Sequence, residues 1–247
     1  MTRPCMAVLI GIGISVLSDF AVGQQPSGTQ TTQFNAAAIT PFRDSFAIIV
    51  EGQTRGWQVY AMEKNDSGFR YTERFSLGAA KNWTSEVLLD SQLRAIRGQS
   101  NGVLFGQSVG GEVRYVGRRV SGFASHYTDS GPTRVPIDTV LPLAAVDGNA
   151  LMGLIPTLDW HLGATYALNI FDPDQVSITT QTLRVTLEEL ITVPAGRLDV
   201  LRADLTTAEA DTDTAVRIWV TTAKPHRIVK VGGAADDLAT VLVVAHP

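Results

Sequence analysis

What most constrains this chain is an alternation of apolar and polar residues with a period of two, broken at short intervals by turn-forming residues. Successive side chains of a strand point to opposite faces, so such a segment has one face to bury and one to leave in water. Phe69-Arg-Tyr-Thr-Glu-Arg-Phe-Ser-Leu77 puts Phe69, Tyr71, Phe75 and Leu77 on one side and Arg70, Thr72, Arg74 and Ser76 on the other. Leu183, Val185, Leu187, Ile191 and Val193 repeat the pattern, as do Val216, Ile218 and Val220 against Arg217, Trp219 and Thr221. Turns are predicted at Asn65–Gly68, at Gly110-Gly111 between Val103–Val109 and Glu112–Val120, at Pro194–Gly196 and at Ala223–His226. Gly and Asn accept positive φ and Pro presets φ, and strands joined by short turns pair antiparallel. The pattern is a meander rather than a βαβ series.

One segment departs from it. Asp147 to Ile155 carries apolar residues at 151, 152, 154 and 155, with Asp147 placed as an N-cap and Pro156 as a stop. This predicts one short helix of two or three turns near 147–155, either a lid or plug on the sheet or, in the reading that its apolar stripe favours, a crossover that fills one end of the core.

The first 23 residues have the plan of a secretory signal: Arg3, an apolar run from Ala7 to Leu17, and Ala21-Val22-Gly23 before a cleavage point between Gly23 and Gln24. The apolar run is shorter than the roughly 20 residues of a membrane span. Residues 24–33 are polar and uncharged and read as a flexible leader; 34–247 read as one domain. Cys5, the only cysteine, lies within the signal, so a periplasmic or extracellular mature chain has neither a disulfide nor a thiolate. The net charge of −4 has its signs interspersed, which argues against nucleic-acid binding.

Two motifs invite a catalytic reading. Gly106-Gln-Ser108-Val-Gly110 matches the nucleophile elbow of serine hydrolases, but that chemistry needs a helix after the serine, and Gly111 to Val116 read as a strand. Asp-Ser-Gly occurs at Asp66–Gly68 and Asp129–Gly131, as in paired-aspartate proteases, here in polar turn settings. His126, His161, His226 and His246 form no local metal-ligand spacing. Asn65–Ser67 and Asn82–Thr84 match the glycosylation sequon, which acts only in a host that glycosylates. No cofactor or metal is expected, and the chain is read as non-enzymatic.

Glu189 shares strand parity with Leu187, Ile191 and Val193, which aims it at the apolar face. A bulge at Glu188-Glu189 would return it to water; otherwise Arg202 or Arg217 is the expected counter-ion. Trp57, Trp83 and Trp160 complete a candidate ligand-binding set with Glu189, and Trp219 is the fourth tryptophan.

Glu189-Leu-Ile-Thr-Val-Pro-Ala-Gly196, Leu198–Arg202, Ile218-Trp-Val-Thr221 and Pro225-His-Arg-Ile-Val-Lys230 follow in order. This series, best over 183–231, resembles an uncharacterised domain-of-unknown-function family of exported bacterial β-proteins. The resemblance implies a single strongly curved antiparallel sheet, a half-barrel or barrel-like meander similar to periplasmic lipoprotein carriers. It implies no activity and no catalytic residues. The expectation is an envelope protein holding an apolar or lipid-like ligand in its concave sheet. The alternative is an envelope scaffold that binds a protein partner through a sheet edge or its outer aromatic face, with a concavity filled by its own side chains. A serine hydrolase at Ser108 is the third reading.

Overall fold

The computed structural model describes residues 34–128, 131–207, 215–233 and 238–246; the signal at 1–23, the leader at 24–33 and Asp129 lie outside them. The first eight strands are β1 (Phe42–Val50), β2 (Gln53–Asn65), β3 (Gly68–Leu77), β4 (Lys81–Asp90), β5 (Ala95–Leu104), β6 (Gln107–Val116), β7 (Arg119–Thr128) and β8 (Gly131–Val140). The remaining seven are β9 (Ala145–Asp147), β10 (Thr165–Asp172), β11 (Ser177–Val193), β12 (Gly196–Thr207), β13 (Val216–Thr221), β14 (Ile228–Gly232) and β15 (Leu238–His246). All belong to one sheet, ordered β8-β7-β6-β5-β4-β3-β2-β1-β15-β14-β13-β12-β11-β10-β9. Every neighbour is antiparallel except the three-residue pair β9–β10, which is parallel. Among the described residues no helix is long and apolar enough to cross a membrane.

The sheet is strongly curved and does not close by hydrogen bonding. It overlaps itself instead. Leu168 and Ile170 of β10 face the main core, with Tyr60, Met62, Tyr71 and Val87. Phe171, on the opposite face of β10, packs with Val113, Tyr115, Val120 and Ile137 of β6, β7 and β8. The β9–β10 edge is therefore tucked beneath the concave face of β6–β8, with the Tyr115 and Phe171 rings edge-on at 6.4 Å. Rolling covers both faces of β10 and leaves fewer open edges for other chains to pair with.

The helical segment is shorter than its sequence implies. Asp147 caps as expected, accepting from the Asn149 N–H. Only Leu151–Leu154 is α-helical, between 3-10 turns at Gly148–Ala150 and Ile155–Thr157, the second containing Pro156. Gly153 packs so tightly on the Tyr71 ring that an added Cβ would lie 2.4 Å from it. Leu151, Leu154 and Ile155 are at most 4% exposed, so the segment plugs the concave face.

The turn expected at Gly110-Gly111 lies elsewhere. Both glycines sit inside β6, and the chain reverses at Phe105-Gly106 (φ 49° and 81°) and again after Val116. The two glycines serve close approach rather than reversal: a Cβ at Gly110 would meet the Ser100 carbonyl oxygen at 2.6 Å, and one at Gly111 the Phe123 oxygen at 2.8 Å.

Candidate functional site

The roll is joined along a polar seam. Tyr115 on β6 donates its hydroxyl to Asp147 Oδ2 at 2.6 Å, and Asp147 is 2% exposed. Ser100 on β5 donates to Asp174 Oδ1, in the β10–β11 turn, at 2.9 Å. On the adjoining concave surface, Glu73 on β3 accepts from Gln58 Nε2 at 2.6 Å. Burial raises the Glu73 carboxyl to about 7 against the opposing pull of Gln58 and Lys81, and Asp174 raises it further. Burial raises Asp147 to about 7 as well; Tyr115 and the Asn149 N–H oppose the shift, while Asp174 and Asp172 reinforce it. Burial also lowers Lys81, and the surrounding carboxylates partly offset that. The Tyr71 hydroxyl and Ser85 Oγ, on the same surface, are buried without hydrogen-bond partners among the described residues. The seam can hold protons near neutrality, yet among the described residues no three metal-ligating side chains gather closely enough to hold an ion.

The alternation rule leaves Glu73 unassigned, although its number shares parity with Tyr71 and Phe75. Asp44 is a second such residue, between Phe42 and Phe46. It is buried and takes Arg227 Nη1 at 2.7 Å. Odd numbers through an otherwise apolar face were the available signal in Glu73's case, and even numbers in Asp44's.

The residues singled out from sequence do not converge. Trp57 is on the convex face of β2, 49% exposed. Trp83 lies on the concave side of β4, its ring over Gly102 of β5. Trp160 is buried at the plug and donates Nε1–H to the Ile155 oxygen at 2.9 Å. Glu189 is part-buried on the convex side and accepts from Trp219 Nε1 at 2.8 Å. The bulge that sends it there falls between Val185 and Leu187, not at Glu188-Glu189, and reverses the phase of everything after it. The indole, rather than an arginine, is its partner; Arg202 and Arg217 each stand 3.9 Å from Asp204. Lys230 covers the Trp219 ring at 4.5 Å. The tip of the β11–β12 hairpin reaches β15, where the Ala195 N–H meets the Leu242 oxygen.

Ser108 is exposed on the convex face near the start of β6, paired with Val103, and strand follows it where an elbow has helix. Asp66 lies in the β2–β3 turn. His161 is exposed near Asp159, and His226 Nδ1 contacts the Thr221 oxygen; the side chains of His126 and His246 are not among those described.

The convex face carries the better-formed hollow. It has a volume of about 160 Å³ and a floor of short side chains, Val59, Ala61 and Thr72, walled by arginines and glutamates. A second hollow, beside Asp44 and Met152, has a volume of about 10 Å³.

These features define a rolled, barrel-like β protein with a plugged interior and a polar seam. The model of the family described as "Protein of unknown function (DUF3108)" matches residues 103–235, more than half of the chain, and the chain belongs to that family. Comparison with curated proteins gives no match. Among solved structures, the chain is similar to a beta-barrel-like protein of domain of unknown function DUF1849 from Brucella abortus. The two are 12% identical with a TM-score of 0.47, over 83% of this chain and 96% of the other. It is also similar to a protein described as exported, with a YmcC-like fold, from Bacteroides fragilis (10% identity, TM-score 0.29, 87% and 100% covered). A protein described as a lipoprotein from Parabacteroides distasonis is similar at 12% identity and TM-score 0.29, with 88% and 100% covered.

Proposed function

We propose that this chain is an exported, non-enzymatic envelope protein that works as a binding scaffold and meets its partner on the convex face of the roll. The observation that carries the reading is the filled interior. The concave side, where an acyl chain would lie, is occupied by Leu151, Met152, Leu154, Ile155 and Trp160, all in the main core. Admitting a ligand there would require the 148–157 segment to leave and expose that surface to water, at about 25 cal/mol per Å² of apolar area. The sheet edges are poor docking sites. Edge strand β8 carries Pro132, Arg134, Pro136 and Asp138, and edge strand β9 has three residues. The convex face remains, with Trp57 half-exposed on it. Export rests on the signal-like first 23 residues.

A neutral, apolar naphthylamine dye separates the scaffold from a lipid carrier. Purified protein is titrated with dye and then with phospholipid. A filled scaffold gives no saturable fluorescence. Saturable uptake at one dye per chain, displaced by phospholipid, would refute the reading and restore the carrier.

A further inference from the structure

We infer that the hollow on the convex face of β1–β4 is a binding site for a phosphate-type oxyanion, held between Arg43 and Arg74. The inference rests on the reading of the convex face as the working face and names the chemistry it recognises.

Register places the two arginines. Arg43 on β1 pairs with Ala61 of β2, and Arg74 on β3 pairs with Val59 of the same strand. They therefore stand diagonally across β2, two strands and two residues apart. With strands about 4.8 Å apart and a rise of about 3.4 Å per residue, their Cα atoms are separated by about 12 Å. Two extended arginine side chains span that distance over a floor of Val59 and Ala61, which are too short to obstruct them.

Charge pairing around the hollow is uneven. Arg70 is engaged by both glutamates of the rim, hydrogen-bonded to Glu63 and 3.9 Å from Glu86. Arg43 and Arg74 have no ion-pair partner among the described residues. The site thus has two uncommitted guanidinium groups, and its own carboxylates are already occupied. Guanidinium forks match the tetrahedral oxyanion of a phosphate with paired, charge-assisted hydrogen bonds. A hollow of about 160 Å³ takes an oxyanion of that size and excludes an acyl chain. The same chemistry is offered by a free phosphate and by a phospholipid headgroup.

The test is direct binding by the intact protein and by an Arg43→Gln/Arg74→Gln double variant. The probes are inorganic phosphate, vesicles of phosphatidylcholine with phosphatidylglycerol, and vesicles of phosphatidylcholine alone. Both arginines are exposed, so the variant folds, which its circular dichroism and melting temperature verify. An Arg119→Gln/Arg197→Gln double variant, on β7 and β12 outside the hollow, removes the same two charges and controls for net charge. The inference expects saturable binding, at least tenfold weaker in the Arg43/Arg74 variant, unchanged in the Arg119/Arg197 variant, and weakened by salt. Phosphate bound in solution assigns a soluble ligand; binding only to the anionic vesicles assigns a headgroup. No saturable binding of either, or binding that the Arg43/Arg74 variant retains, overturns the site. Dye uptake with intact arginine-dependent anion binding would overturn only the filled-scaffold reading.

Discussion

Replacing Asp147 by Asn isolates the pH response of the seam. The native carboxyl holds its proton up to about 7, whereas an ordinary aspartate releases it near 3.8. Between those values the folded chain binds more protons than the unfolded one. Unfolding therefore releases protons, and stability falls as pH rises through the window. The whole interval corresponds to about 4 kcal/mol, and the part between pH 5 and pH 8 to about 2.5 kcal/mol. The Asn side chain keeps its oxygen for the Asn149 N–H and turns its NH2 toward Tyr115, whose hydroxyl oxygen then accepts, and it has no proton to lose. The assay is urea denaturation at several pH values, comparing wild type with Asp147→Asn. Groups remote from the seam contribute equally to both proteins, so the difference between the curves belongs to Asp147 and to the carboxylates coupled to it, Asp172 and Asp174. Wild type should lose about 2.5 kcal/mol more than the variant between pH 5 and pH 8, about 1 M in urea midpoint. Parallel curves, or a wild type that gains relative to the variant as pH rises, would refute the claim that this carboxyl is buried in the seam.

Gly153→Ala forces a Cβ against the Tyr71 ring and should cost about 1–3 kcal/mol by overpacking, read as a lower melting temperature. Asp44→Ala removes the buried carboxylate that takes Arg227 Nη1 and should cost about 3–5 kcal/mol in urea denaturation. Trp219→Phe removes the donor to Glu189 and should cost about 1.5–3 kcal/mol; if Glu189→Gln in the Trp219→Phe background has the same effect as in wild type, the hydrogen bond is not a coupled interaction. A fluorophosphonate probe should leave Ser108 unlabelled, since strand β6 runs on past it; stoichiometric labelling would revive the hydrolase reading.

Strand identity was legible wherever alternation was regular. The faces read from 69–77 and 216–220 are the faces the sheet uses, because one-sided burial fixes the phase of a strand. Glycine was the less dependable sign. Gly110-Gly111 looks like a reversal, but the same residue also marks close backbone approach, and nothing local separates the two uses. The bulge near Thr186 was placed too late for a related reason: Leu187 looks like core from its own sequence, and only the pairing of β12 shows that it faces outward. Asp147 was readable as a cap. Its burial was not, because that depends on Tyr115, 32 residues upstream, arriving by the overlap of the roll. The convex hollow was equally hidden, since Arg43, Val59 and Arg74 come from three separate strands.

The strand order has a consequence for how the chain assembles. Every neighbouring pair in the sheet is also consecutive in sequence, except β1 with β15. That pair sets Arg43 beside His246 and closes a loop of roughly 200 residues, which costs about 5 kcal/mol of chain entropy. The antiparallel strands thus form one continuous meander running from β10 through β15 and β1 to β8, with β9 added as a parallel edge strand, and its backbone is opened in the middle. A circular permutant that joins β15 to β1 by a short linker and begins at Ala145 would make every strand pairing local. With its contact order lowered, that molecule should reach the same roll faster than the natural connectivity does.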